Sequence, residues 1–240
     1  PETGEVELGG KTYSNIFGSK LVELAENDRS IYAISAAMVK GTGLGEFQSR
    51  FEDRCIDVGI AEGHGVTFSA GLAISGKKPY VAIYSTFFQR ALDQLIHDVG
   101  LQNLPVKFII DRAGIVGEDG KTHQGIHDIN MFLSMPNYRV LAPATGTELR
   151  EMLEFSKDFK DGPLAIRFPR GNAFELETTS KSSFELGRWK EIKKGKKNLY
   201  LVTGAMLKEI LDIEDELLRK GLDGTIVNCS SIRPLDVNFI

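Results

Sequence analysis

Four charged side chains follow closely on apolar runs of strand length, and their types suit the binding of a charged ligand. Arg90, Arg112 and Arg170 each come soon after such a run, and Glu62 follows another at the start of a predicted helix. In sheets of parallel strands, ligands collect at the carboxyl ends of the strands. A guanidinium presents its donors in a planar fork that matches phosphate or carboxylate groups. These positions are the first candidates for a site; the alternative is that the arginines are ordinary surface residues.

The densest feature is residues 57–65, where a strand ends in a turn and a helix rich in Gly and Ala begins. A glutamate in the first turn of a helix is also favourable to the helix dipole alone, a role that needs no ligand. One face of this helix carries only very small side chains, so another molecule can approach its backbone closely. The small residues are Gly63, Gly65, Ala70 and Gly71. We expect a bound cofactor or a partner subunit against this helix.

Two histidines have a spacing that could bind a metal ion. His123 and His127 stand four residues apart, which on one helical face would suit zinc. Gly120 and Gly125 favour a loop over a helix here, and no third ligand of matching spacing is evident. We therefore predict no metal site in this chain. His97 is interpreted as a hydrogen-bonded histidine of the core or of an interface.

Composition narrows the class of protein. The 240 residues are 42% hydrophobic, which is enough for one large or two modest domains. Cys55 and Cys229 lie far apart in apolar stretches, which favours a reducing, cytoplasmic compartment over a disulfide framework. A formal net charge of -4 argues against a nucleic-acid partner. No apolar run approaches the roughly 20 residues that span a bilayer, so no membrane segment is predicted.

The elements that must position these side chains alternate along the chain. We predict an α/β fold with a mostly parallel sheet and helices on both faces. The predicted strands are residues 31–37, 55–58, 80–84, 106–110, 138–141 and 164–168. The predicted helices are one that contains residues 16–25, then 47–54, 61–74, 87–101 and 147–155.

A polar segment without periodicity separates two parts of the chain. We predict a first domain over residues 1–172, a linker over 173–183 and a second domain over 184–240. The last part reads as a single strand-helix-strand unit, with strands at 199–203 and 225–228 and a helix at 208–220. One such unit cannot bury both faces of its sheet, so this domain is predicted to be incomplete. The basic run 190–197 is interpreted as a solvated hairpin turn.

Four runs together resemble the 1-deoxy-D-xylulose-5-phosphate synthases, a family of thiamine-diphosphate enzymes in the transketolase superfamily. They are Ile-Ala-Glu at 60–62, YSTFFQRALDQLIHD at 84–98, DRAG at 111–114 with DGKTHQG at 119–125, and RFPRG at 167–171. The similarity extends from about residue 13 to residue 236, and several motifs in one order are more specific than any single motif. The resemblance implies a pyrimidine-binding domain followed by the start of a transketolase-type C-terminal domain.

The resemblance also implies how the cofactor and the phosphate of the substrate are held. Glu62 would hydrogen-bond a ring nitrogen of the aminopyrimidine of thiamine diphosphate, and Phe87 would pack on that ring. Arg90 and Arg170 would hold the phosphate of the acceptor, D-glyceraldehyde 3-phosphate.

Four further residues match positions around the acceptor: Tyr84, Arg112, Asp119 and His123. Of these, His123 is implied to move protons, so the predicted catalytic residues are Glu62 and His123. The implied enzyme is a transferase that condenses pyruvate with the acceptor, with loss of carbon dioxide. Its product, 1-deoxy-D-xylulose 5-phosphate, feeds isoprenoid and thiamine biosynthesis.

One part of the family pattern is absent from this sequence. The Gly-Asp-Gly run with a downstream Asn, which binds the diphosphate and Mg²⁺ in these enzymes, does not occur. We therefore expect the magnesium ligands to lie in a missing N-terminal half. The chain alone is expected to be an inactive fragment, and the intact enzyme is expected to be a homodimer. Three positions differ from the residues that are usual in this family. Gly63 stands in place of Gln, Gly65 in place of Ala, and His127 in place of an apolar residue.

Two alternatives stay open. The chain could be a separate pyrimidine-binding subunit of a split transketolase or a 2-oxo-acid dehydrogenase. It could also be a non-catalytic interaction module that kept the fold. The DRAG and RFPRG runs favour the synthase, and the retention of Glu62, Arg90, His123 and Arg170 speaks against lost activity.

Overall fold

The computed structural model describes residues 11–176 and 184–240. Its main element is a seven-stranded sheet, in which six strands run parallel in the order β5-β6-β4-β3-β1-β2. The six are β1 (Ile31–Ser35), β2 (Cys55–Asp57), β3 (Lys78–Tyr84), β4 (Lys107–Asp111), β5 (Arg139–Leu141) and β6 (Leu164–Arg167). All six predicted strands are confirmed, with ends shifted by one or two residues.

Helices cover both faces of this sheet. They are α1 (Tyr13–Asn27), α2 (Gly45–Arg50), α3 (Glu62–Ile74), α4 (Leu92–Gln94), α5 (Asp128–Ser134) and α6 (Gly146–Ser156). Residues of α1, α2 and α6 form one core cluster with the sheet, and residues of α3 and α5 form another. Along β3, Tyr80 belongs to the first cluster and Val81 to the second. Successive side chains of a strand point to opposite faces, so a strand buried on both faces needs a continuous apolar run. The predicted fold class is confirmed.

The segment after β3 differs from the single helix predicted over 87–101. It begins as a 3-10 helix over Ser85–Ala91, continues through α4 and ends as a π-helix over Leu95–Gly100. Phe88 and Ala91, both fully buried, are three residues apart, the spacing at which a 3-10 helix aligns side chains. Packing onto the sheet therefore overrides the regular helical period here.

The helix predicted over 47–54 was also too long. The α-helix α2 ends at Arg50, because Phe51 leaves helical geometry with φ -137° and ψ 56°. The Arg54 guanidinium lies 4.2 Å from the centroid of the Phe51 ring and donates to the carbonyl of Ala25 at 3.2 Å. These contacts attach the end of the segment to α1. Helix α5 was not predicted.

The C-terminal part forms a three-stranded sheet in the order β7-β9-β8. Its strands are β7 (Lys190–Lys193), β8 (Asn198–Val202) and β9 (Gly224–Asn228). The predicted hairpin at 190–197 is wrong, because β9 lies between β7 and β8 and pairs with both. The helix predicted over 208–220 divides at Ile213 into α7 (Met206–Asp212) and α8 (Glu214–Arg219).

A final strand joins the two parts of the chain. Strand β10 (Ser231–Arg233) pairs antiparallel with β5 at the edge of the large sheet. The domain limits at 172 and 184 stay predictions, and residues 177–183 of the predicted linker lie outside the described residues. None of the helices in the described ranges combines the length and the apolar character needed to cross a bilayer.

The small residues of α3 were predicted to leave its face bare, and for two glycines this is wrong. A Cβ atom at Gly63 would lie 2.9 Å from Gln94 Oε1, and one at Gly65 would lie 3.3 Å from Val58 Cγ2. These two glycines therefore let α3 pack closely within this chain. Only at Gly71 among the three would a Cβ atom meet nothing within 4 Å.

Gly71→Ala tests this distinction. We expect the substitution to raise the free energy of unfolding by about 0.5–1 kcal/mol, because alanine loses less backbone entropy than glycine in a helix and meets no neighbour here. Urea unfolding monitored by circular dichroism measures the change. Gly63→Ala is the matched control and should gain less, because the Gln94 side chain must move. An equal gain in both variants would contradict the packing role of Gly63.

Candidate active site

Apart from Glu62, which follows β2, the site residues singled out from the sequence lie beyond the carboxyl ends of three adjacent strands. Tyr84 ends β3, Asp111 ends β4 and Arg170 follows β6 by three residues. These strands are neighbours in the order β6-β4-β3, so the loops that leave them start side by side. Parallel pairing places all of these strand ends at one edge, as predicted from the alternating pattern.

Glu62 is the first residue of α3, and only 3% of it is exposed. Its Oε1 atom accepts a hydrogen bond from Arg90 Nη1 at 2.6 Å. The Arg90 side chain is 53% exposed, and its guanidinium carbon lies 4.6 Å from the centroid of the Phe87 ring. A buried carboxylate needs a partner to offset its lost hydration. Arg90 provides that partner and connects Glu62 to Phe87.

Phe87 is the centre of an aromatic cluster. Its ring stacks against Tyr84 with a centroid separation of 6.1 Å and meets the edge of His123 at 5.2 Å. Nδ1 of His123 is 3.1 Å from the hydroxyl of Thr122, so the imidazole is held from one side. The second ring nitrogen, Nε2, is a donor or an acceptor according to the tautomer of the imidazole.

A second group of charges continues from Tyr84. The Arg112 guanidinium carbon lies 3.9 Å from the centroid of the Tyr84 ring and the side chain pairs with Asp119. Asp119 also pairs with Arg170 at 3.0 Å, and Arg170 reaches Glu118 at 3.0 Å. Burial raises the pKa of the Tyr84 hydroxyl, although the charge of Arg112 opposes this shift. Tyr84 is therefore a neutral hydroxyl at physiological pH.

All eight predicted site residues belong to one connected set of contacts. It runs from Glu62 through Arg90, Phe87 and Tyr84 to Arg112, with His123 beside Phe87. Asp119 and Arg170 complete it. The set combines a buried carboxylate, an aromatic face, an imidazole and three guanidinium groups, which suits a planar cofactor beside an anionic substrate.

The other histidines lie outside this set. His97 bonds to Asp98 at 3.2 Å, but its side chain is 75% exposed, so the core interpretation of this residue is wrong. His127 is exposed and directly precedes α5. In residues 11–176 and 184–240, no group of three or more His, Cys, Asp or Glu side chains could hold a metal ion.

Sequence reasoning missed several residues that shape the site. Ser85 is buried, and its hydroxyl has no hydrogen-bond partner among the described residues. A Cβ atom at Gly41 would lie 1.8 Å from the Tyr84 hydroxyl oxygen, and one at Gly125 would lie 2.4 Å from the carbonyl oxygen of Arg112. No pattern in the sequence marked either contact, because a close approach between distant segments leaves no local signal.

Asp111 was also missed as a residue with a role of its own, although it lies within the DRAG run. It is fully buried, and its carboxylate accepts hydrogen bonds from the Ser14 hydroxyl and from the backbone N–H of Arg112, each at 2.7 Å. Burial raises its pKa to about 6, and these hydrogen bonds offset the shift only in part. A strand-end Asp beside Arg was the only signal available.

The chain is similar to known proteins over its whole length. The family model of the transketolase pyrimidine-binding domain matches residues 10–174. A curated protein of Fusobacterium nucleatum named 1-deoxy-D-xylulose-5-phosphate synthase is 57% identical over 239 residues, which are 100% of this chain and 40% of that protein. A protein of the same name from Caldanaerobacter subterraneus is 48% identical over 100% of this chain and 38% of its own length.

Solved structures have the same fold. A structure described as a split-gene transketolase, inactive beta4 tetramer, is 28% identical with a TM-score of 0.83, over 96% of this chain and 75% of that one. The transketolase of Campylobacter jejuni has a TM-score of 0.83 at 24% identity, over 94% of this chain and 37% of that one. This chain thus spans about two-fifths of the length of the curated relatives above. The chain belongs to the transketolase pyrimidine-binding domain family.

Proposed function

We propose that this chain is the pyrimidine-binding part of a thiamine-diphosphate-dependent transferase. The enzyme would condense pyruvate with D-glyceraldehyde 3-phosphate, release carbon dioxide and form 1-deoxy-D-xylulose 5-phosphate. The observation that carries this proposal is the unbroken set of contacts from Glu62 to Arg170 at one edge of the sheet. Relatives that carry the synthase name support this choice of reaction.

The site fits the aminopyrimidine end of the cofactor. Glu62 offers a buried carboxylate, and the half-buried ring of Phe87 offers an apolar face close to it. A carboxylate removed from water forms a strong charge-assisted hydrogen bond to a protonated ring nitrogen. When bound, thiamine diphosphate supplies the electron sink that the decarboxylation of a 2-oxo acid requires. Glu62 would hold the pyrimidine in its reactive tautomer, and Phe87 would orient it.

The arginines suit the acceptor. We assign Arg90 and Arg170 to its phosphate, because their side chains are 53% and 39% exposed and each guanidinium has five donors. Arg90 can keep Glu62 on Nη1 while it offers other N–H groups to an anion. Tyr84, Arg112 and Asp119 would bind the hydroxyl and carbonyl groups. Nε2 of His123 would exchange a proton with an acceptor oxygen.

Arg170→Ala tests the phosphate assignment in the full-length enzyme. We expect kcat/KM for D-glyceraldehyde 3-phosphate to fall about 10- to 150-fold, since a charge-assisted contact is worth about 1.5–3 kcal/mol. A non-phosphorylated aldehyde and pyruvate should be little affected. Steady-state kinetics with both acceptors measures the ratio.

Two variants complete this experiment. Arg90→Ala should also lower kcat/KM more for the phosphorylated acceptor than for the non-phosphorylated aldehyde. In addition, kcat/KM should fall somewhat for both acceptors, because the Glu62 carboxylate is left without its partner. Arg139→Ala is the matched control. Arg139 is the first residue of β5, so it lies at the amino ends of the parallel strands, away from the candidate site, and it pairs with Asp161 at 2.6 Å. Equal damage with both acceptors in Arg170→Ala would mean that Arg170 is structural.

We propose that the Mg²⁺ ligands and the diphosphate site lie in a part of the protein outside this chain. The 240-residue chain alone is therefore expected neither to bind thiamine diphosphate tightly nor to turn over, because much of the affinity for this cofactor comes from the magnesium-bridged diphosphate. Calorimetric titration with cofactor and Mg²⁺ tests this. Magnesium-dependent binding at micromolar cofactor would contradict the proposal.

The assembly and location follow from the same proposal. We propose that the complete enzyme is a cytoplasmic homodimer with the domain division predicted above. A separate pyrimidine-binding subunit is the second candidate, because the chain covers 75% of the split-gene transketolase structure but 40% of the synthase from Fusobacterium nucleatum. The mass of the native polypeptide distinguishes them: the 240 residues weigh 26.5 kDa, so a species of about 1.3 times that mass would favour the separate subunit and one of about 2.5 times that mass would favour the synthase.

A further inference from the structure

Asp111 is a buried carboxylate that the proposed function does not use. It ends β4 with no exposed surface, next to a residue that the proposed function places on the acceptor. Its Oδ2 atom accepts from the Ser14 hydroxyl and its Oδ1 atom from the backbone N–H of Arg112, both at 2.7 Å. A buried carboxylate is retained only where its hydrogen bonds are satisfied. The donors of both hydrogen bonds belong to segments that border the candidate site.

The bond to Arg112 supports an unfavourable backbone conformation. Arg112 has φ 58°, in the left-handed region that residues other than glycine rarely adopt. The surrounding structure must hold such a residue in place. With this backbone, the guanidinium of Arg112 reaches the face of Tyr84 and pairs with Asp119. Asp111 is therefore part of what directs Arg112 into the site.

The bond to Ser14 connects this turn to a second loop. Ser14 lies in the first turn of α1, where the N–H of Tyr13 donates to the carbonyl of Gly171 at 3.1 Å. The Tyr13 ring also stacks on Phe168 with a centroid separation of 5.9 Å. The start of α1 thus contacts the loop that carries Arg170, while Ser14 contacts the turn that carries Arg112.

We infer that Ser14 and Asp111 form a positioning pair that fixes Arg112 and Arg170 relative to each other around Asp119. Neither residue needs to touch a ligand for this role. Asp119 binds both arginines, so a shift of the Arg112 turn against α1 changes the spacing of the two guanidinium groups. The effect on substrate rests on the proposed function, whereas the effect on the Arg112 turn does not.

Ser14→Ala in the full-length protein is the first test. We expect the backbone amide of Arg112 to exchange with deuterium about tenfold faster, because the carboxylate that accepts it loses its second donor. Ser19→Ala is the matched control on the same helix, since the Ser19 hydroxyl bonds only locally, to the carbonyl of Ile16 at 3.2 Å. Ser14→Thr keeps a hydroxyl and should restore slow exchange. Equal exchange in Ser14→Ala and Ser19→Ala would overturn the positioning pair.

Kinetics of the same variants separates this inference from the proposed function. Ser14→Ala should raise KM for D-glyceraldehyde 3-phosphate about fivefold to tenfold, as expected for a weakened charge-assisted contact, while kcat and KM for pyruvate change little. A general loss of stability would lower kcat or the active fraction instead. Faster amide exchange with an unchanged KM would support the pair and contradict the assignment of these arginines to the acceptor.

Discussion

Glu62→Gln is expected to slow cofactor activation in the full-length enzyme by about 100- to 1,000-fold, the loss typical of removing one preorganised electrostatic contact. Glutamine keeps the size of the side chain but removes the charge, so it cannot favour the protonated ring nitrogen in the same way. The measurement is the rate at which the C2 proton of bound thiamine diphosphate exchanges in deuterated water. The fold should persist, because Arg90 can still donate to the amide oxygen.

A glutamate in another first turn provides the control for Glu62→Gln. Glu46 lies in the first turn of α2 and pairs there with Arg50. If a first-turn glutamate acted only through the helix dipole, Glu46→Gln and Glu62→Gln would each change stability slightly and leave proton exchange alone. We expect that behaviour for Glu46→Gln only. An unchanged exchange rate in Glu62→Gln would remove Glu62 from the active site.

Asp111→Asn is expected to change how stability depends on pH. Burial raises the pKa of Asp111 from 3.8 to about 6, so between these values the folded state keeps a proton that the unfolded chain has released. The protonated carboxyl therefore adds its full stabilisation of the folded state at pH values below 3.8, the pKa in the unfolded chain. This stabilisation is lost as the pH rises through about 6, the pKa in the folded state. The shift corresponds to a loss of about 3 kcal/mol across the window. Asparagine does not titrate and should lack this loss.

The comparison requires urea unfolding of wild type, Asp111→Asn and Asp28→Asn at several pH values from about 2 to 7, the range that spans the folded and unfolded pKa values of both carboxyl groups. The charged groups that face Asp111 are Arg112, which opposes the shift, and Asp119, which adds to it. Asp28→Asn is a control of opposite sign. Despite some burial, hydrogen bonds from Lys78 and Ser30 lower the pKa of Asp28 to about 2, so its stabilisation is lost as the pH falls. Parallel pH profiles for wild type and Asp111→Asn would contradict the burial of an ionisable Asp111.

The sequence alone determined the fold class and placed the candidate site residues after the carboxyl ends of neighbouring strands. Strands such as β3 and β4 are buried on both faces, so a continuous apolar run marks them without knowledge of their neighbours. Helices α1, α3 and α6 follow from periodicity in the same local way. Parallel strands joined by helices place their carboxyl ends at one edge, and this brings Arg90, Arg112 and Arg170 together before any distance is known.

The roles of the small and buried residues were decided only by the tertiary structure. The sequence predicted that the helix face at Gly63 and Gly65 is free for another molecule. In the structure, the Gln94 side chain lies against Gly63 and the Val58 side chain lies against Gly65. The basic run near Lys193 read as a hairpin, but β9 separates the two strands, since pairing between distant segments has no local signature.

The charge pairs of the site also depended on the three-dimensional arrangement. Arg90 pairs with Glu62 across 28 residues, and Arg170 with Asp119 across 51. Ser14 reaches Asp111 across 97 residues, a contact that no motif indicated. Residue types and spacing specify which groups can interact, because those properties are local. Which groups do interact depends on how the loops pack, because a hydrogen bond is lost when its donor and acceptor move apart by about 1 Å.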